Sequence, residues 1–110
     1  MNVYIAKTAT AAHTATVRDN ACVFDYAHVY GNAIVKDNAH VHDKAVVAYS
    51  ATVGGNAKVS GIARVCGGAR VLGEVQVKGD ARVIGISILE GDVTISSGHI
   101  RNVHWWRDVP

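Results

Sequence analysis

This sequence is poor in charge of either sign, in cysteine, and in long apolar runs. Only 18% of its 110 residues are charged, and the formal net charge is +2. That is too little to suggest general nucleic-acid binding, which uses a dense basic stripe. No apolar stretch approaches the ~20 residues of a membrane-spanning helix. Met1-Asn2-Val3-Tyr4 shows neither the basic segment nor the apolar run of a secretory signal, so a cytoplasmic location and no membrane partner are expected. Large apolar side chains are also scarce. The 49% hydrophobic fraction is mostly alanine and valine, so burial per residue is modest and stacked hydrogen-bonded strands must supply much of the order.

What the sequence does contain is a six-residue repeat. Alanine occupies every sixth position from Ala9 to Ala69, and valine every sixth from Val17 to Val83, two residues after the alanine track. A spacing of two puts both side chains on one side of an extended strand. Each hexad therefore supplies a short strand with an inward pair, as in Ala21-Cys22-Val23 and Ala57-Lys58-Val59. Between strands stand Asp19-Asn20, Gly31-Asn32, Asp37-Asn38, Gly55-Asn56, Gly67-Gly68 and Gly79-Asp80, residue types that accept positive φ at corners. A helix is excluded, because positions i and i+6 lie on different helical faces. The pattern predicts an all-β, single-domain triangular parallel β-helix of about five coils, with three hexads, or 18 residues, to a coil. The repeat covers residues 1–96; residues 97–110 form a C-terminal cap or tail in which Trp105 and Trp106 fold over the open end or recognise a partner.

The pairs Val53 and Ala57, Val59 and Ala63, and Val65 and Ala69 follow a rule of an aliphatic residue and then a small one four positions later. In this the chain resembles the hexapeptide-repeat, left-handed β-helix superfamily, and the small alanine track suits that narrow cross-section. Glycine falls one place later than is usual there, at Gly61, Gly73 and Gly85, and a right-handed bactofilin-like helix is the alternative. The resemblance implies a homotrimer of parallel prisms. It also leaves a rival activity open, a minimal acyltransferase or a γ-carbonic-anhydrase-like metal enzyme.

Residues 18 apart should lie directly above one another. One face then presents Thr10, His28, Val46, Arg64 and Arg82; the next Thr16, Ile34, Thr52, Arg70 and Ile88; the third Cys22, His40, Lys58, Gln76 and Thr94. Tyr30, Ala48, Cys66 and Ile84 make an apolar corner between the first two faces, and with Ile34 and Ile88 they are the expected oligomer interface. Arg64 and Arg82 are like charges on one face, suited to a small phosphate-bearing anion or an acidic protein partner, with Arg70 and Lys58 completing a basic girdle. Cys22 and Cys66 are 44 residues apart, not a multiple of 18, which argues against a disulfide between them.

Cys22, His40 and His42 are the residues that could ligate a metal, yet Phe24 beneath His42 and Lys58 above His40 give them an ordinary aromatic and cationic neighbourhood, and no metal is assigned. His99 and His104 share a five-residue spacing with part of the γ-carbonic-anhydrase set but have no upstream partner. His28 is the one candidate base for acyl transfer; it lacks an orienting carboxylate, and no insertion breaks the register between residues 9 and 84 to form a lid. The expectation is therefore a non-enzymatic, cofactor-free, trimeric binding or scaffold protein acting through its prism surface. Runs such as Tyr30-Gly31-Asn32-Ala33-Ile34-Val35 resemble short hexapeptide-repeat proteins of bacteria and phages, which makes an inhibitor of a host factor, or a nucleotide or anion binder, a specific form of that reading.

Overall fold

The computed structural model describes residues 3–101 and 104–107. The first coil is β1 (Tyr4–Ile5), β2 (Thr10–Ala11) and β3 (Thr16–Val17). The pattern then repeats through β4 (Cys22–Val23), β5 (His28–Val29), β6 (Ile34–Val35), β7 (His40–Val41), β8 (Val46–Val47) and β9 (Thr52–Val53). It continues through β10 (Lys58–Val59), β11 (Arg64–Val65), β12 (Arg70–Val71), β13 (Gln76–Val77), β14 (Arg82–Ile84) and β15 (Ile88–Gly91). The last layer is β16 (Thr94–Ile95), β17 (His99–Arg101) and β18 (His104–Arg107). Every third strand pairs in parallel, giving three six-stranded sheets and a β-solenoid of about five turns.

Strands of two residues survive because each is hydrogen-bonded to the coils on either side. Register pairs such as Cys22↔His40, His40↔Lys58, Arg64↔Arg82 and Ile34↔Thr52 are all 18 residues apart, so the three outward columns expected from the repeat are present. Inside, alanine and valine are fully buried from Ala21 through Val83, and Leu89, Val93 and Ile95 continue the core. The molecule extends 38 × 24 × 21 Å.

From Asp19 to Gly91 each corner places its first residue at positive φ, near 60° in Asp19, Asp25, Asp37 and Asp43 and 63° in Gly55. At Gly55 a Cβ would sit 2.5 Å from the backbone nitrogen of Gly73, so that corner has no room for a side chain. Where aspartate occupies the position, its carboxylate accepts the backbone N–H of the corner one coil on. Asp37 donates its N–H to Asp19 Oδ2 at 3.2 Å and Gly55 to Asp37 Oδ2 at 2.9 Å; likewise Asp43 to Asp25 Oδ2 at 3.2 Å and Gly61 to Asp43 Oδ2 at 2.9 Å. These donors point along the stack, and the aspartate ladder satisfies them.

The sequence sets residues 97–110 apart from the repeat, whereas His99–Arg101 and His104–Arg107 form two further strands on the stack. Their register is shortened: Arg82 pairs with His99, 17 residues on, and Ile88 with His104, 16 on. Two hexads have become pentads, so the aliphatic track steps from Ile95 to Ile100, which packs against the core, and Trp105 takes the register position of Leu89. A six-residue count loses the repeat at this point, although the backbone pairing goes on. The side chains of Trp105 and Trp106 lie outside the described residues.

Candidate functional site

Two surface regions gather chemistry. The first is the basic column. Arg64 and Arg82 are paired in register on β11 and β14, both exposed, on the sheet that also carries Val46. Among the described residues neither has an acidic side chain within ion-pair distance. Adjacent parallel strands are ~4.8 Å apart, so the two cations stand side by side with their repulsion uncompensated. Burial pushes the Cys66 thiol up, against the opposing pull of Arg64 and Arg82, which places all three in one neighbourhood. Arg70 is paired with Thr52 and Ile88 on the next sheet, and Lys58 with His40 and Gln76 on the third. The girdle is thus one pair and two separate cations rather than a single site.

Beside the pair runs the corner expected to be apolar. Tyr30 is 46% exposed and Ile84 and Cys66 are half-buried, but Ala48 is only 1% exposed within a single chain and offers no surface. Ile34 and Ile88 are half-buried on the adjoining sheet. The same corner carries Tyr49 and Ile86, 66% and 73% exposed, which the sequence reading left out. Both stand at turn positions, where hydropathy alone gives no reason to look. His28, the candidate base, is exposed between Thr10 and Val46, with no carboxylate on either register neighbour.

The second region is the corner after β4 and β7. Cys22 and His40 are register partners, as expected. Both imidazoles meet Phe24: the His42 ring lies parallel on it, with centroids 4.8 Å apart and planes within 4°, while His40 meets it edge-on at 6.1 Å. Partial burial, then Lys58 and His42, hold the His40 imidazole below its usual pKa. The His42 Nδ1 lies 3.4 Å from Asp43 Oδ1 and 3.9 Å from Asp25 Oδ2. Among the described residues Asp25, His42 and Asp43 form the cluster whose ligand atoms, all within 4.8 Å of one another, could share an ion, and it excludes Cys22 and His40. The Gly61 N–H holds the Asp43 carboxyl below the usual carboxylate range, partly opposed by desolvation and reinforced by His42. Asp25 and Asp43 escaped the sequence reading although they are 18 apart. The stacking rule applied to corners as well as strands would have found them.

The chain gives no match to protein-family profiles, to curated proteins or to solved structures. Its class rests on its own geometry, that of a parallel β-solenoid built on an 18-residue coil. No helix among the described residues is long and apolar enough to cross a membrane.

Proposed function

We propose that this protein is a cytoplasmic binding protein that assembles through the corner bearing Tyr30, Cys66 and Ile84 into a homotrimer and uses the adjoining Arg64–Arg82 pair to hold an anionic group. The observation that carries the reading is the pair itself: two guanidiniums in register, exposed, and without an acidic partner among the described residues. A phosphate or a carboxylate cluster laid over them removes the repulsion and accepts forked hydrogen bonds from both. The large exposed side chains on the neighbouring corner favour association next to that pair. Left-handed winding fits the alanine track, and the two unpaired thiols suit a reducing compartment.

The test is a titration of the 15N-labelled chain with ADP and, separately, with a polyglutamate peptide. One of the two should shift the amides of residues 64–66 and 82–84 in a saturable way, and Arg64→Glu/Arg82→Glu should weaken that binding at least ~10-fold, about 1.4 kcal/mol. Binding of equal strength in the variant, or no response to either probe, refutes the anion site.

A further inference from the structure

We propose that Asp25, His42 and Asp43 form a binding site for a divalent transition-metal ion of the zinc type. The three groups combine an imidazole nitrogen with two carboxylates, a donor set suited to Zn2+ and its neighbours rather than to Mg2+ or Ca2+, which take oxygen alone. At metal–ligand lengths of about 2.1 Å, neighbouring donors on a tetrahedral ion are about 3.4 Å apart. The His42 Nδ1 to Asp43 Oδ1 distance is 3.4 Å and the Nδ1 to Asp25 Oδ2 distance 3.9 Å. Both exceed a good N–H···O hydrogen bond, so the imidazole makes only long contacts to the two carboxylates, which are tied to each other through the Asp43 N–H on Asp25 Oδ2.

Their positions are set by the stacked coils. Phe24 fixes the plane of the His42 ring. The Gly61 N–H holds Asp43 Oδ2 and leaves Oδ1 toward the imidazole; the Asp43 N–H holds Asp25 Oδ2. The molecule contains its own comparison. Asp19 and Asp37 build the same ladder at another corner, accepting the equivalent N–H groups of Asp37 and Gly55, but the positions preceding them are Arg18 and Lys36, and no ligating nitrogen faces the carboxylates. An aspartate ladder by itself is therefore structural, and His42 is what makes one corner a chelate. Asp25 and Asp43 also line a shallow depression of about 480 Å3 together with Tyr26, Lys44, Gly61 and Ile62. Lys44 forms no ion pair with either carboxylate, and its charge in the same depression opposes a cation and keeps the affinity moderate.

The test uses the tag-free full chain stripped with EDTA and titrated with Zn2+ alone by calorimetry and by 15N NMR. One ion per chain is expected, with shifts centred on residues 24–26, 42–44 and 61. His42→Gln and Asp43→Asn should each weaken it at least ~10-fold; Asp43→Asn keeps an oxygen for the Gly61 N–H, so the fold persists, as circular dichroism would verify. Lys44→Gln should tighten binding, and Cys22→Ser and His40→Ala should leave it unchanged. Co2+ should bind without a thiolate charge-transfer band. No saturable binding at micromolar Zn2+, equal binding in His42→Gln, loss in Cys22→Ser, or a thiolate band would each overturn the assignment.

Discussion

A carboxylate at a positive-φ corner does two jobs that glycine cannot combine: it tolerates the conformation and supplies an acceptor to the next coil. Asp37, at φ 58°, holds the Gly55 N–H at 2.9 Å in a half-buried setting. Alanine there would lose the acceptor and strain the backbone, whereas asparagine retains an oxygen and accepts the left-handed region. Asp37→Ala should cost about 1–3 kcal/mol and Asp37→Asn less than about 1 kcal/mol, read from urea midpoints at unchanged m-value. The aspartates and glycines of these corners are legible from the sequence as residue types that accept positive φ. Tyr49 is not. It stands at φ 62° on the corner it shares with Gly31, Gly67 and Gly85, all at positive φ, so the stacked coils on either side override its local preference. Asp25 likewise needed the stack: His42 is legible in the sequence as a possible ligand, but only the coil step that sets Asp43 18 residues beyond Asp25 brings both carboxylates to it.

Strands of two residues owe their identity to which side of the sheet each residue takes. In the column Ala9, Ala27, Ala45, Ala63 and Ala81 the inward position holds alanine in five successive coils, and Ala45 is wholly buried. Volume added there has nowhere to go, since the solenoid is narrow and both neighbouring coils are packed. Ala45→Leu is expected to destabilise by about 1–3 kcal/mol through overpacking. Val46→Thr, one residue along and outward, should change stability by less than about 1 kcal/mol. Parallel urea unfolding of the two variants checks the inward and outward assignment of a whole strand. Period-two alternation made that assignment readable without coordinates. It failed at Ala48, outward by the count yet covered by its own chain, and at the end, where shortening to five residues keeps the aliphatic track on Ile100 while breaking the count.

For the molecule as a whole, the open question is how a narrow rod with so little buried volume presents large apolar groups to water. Tyr30, Tyr49, Ile84 and Ile86 share one corner, and three of these four are strongly exposed. Tyr30 and Tyr49 are exposed on two successive coils and Ile86 two coils further on, with half-buried Cys66 between them, so the stripe is interrupted once along the rod and a parallel copy of it is the partner whose shape it fits. Ala48 within the stripe is already covered by its own chain, so the contact has to come from the larger residues on either side. Arg64 and Arg82 flank the stripe, and their charges would oppose one another across a symmetric contact unless an anion bridges them. In the proposed assembly association and anion binding would thereby be linked, each favouring the other. Tyr30→Glu/Ile84→Glu, which places carboxylates on exposed and half-buried surface without touching the core, should convert the assembly to monomer by size exclusion with light scattering while leaving the circular dichroism spectrum intact. The same variant should speed alkylation of half-buried Cys66, which an interface would shield. Wild-type protein that runs as a monomer at every concentration, or a variant that keeps its mass, would place the stripe outside any self-contact.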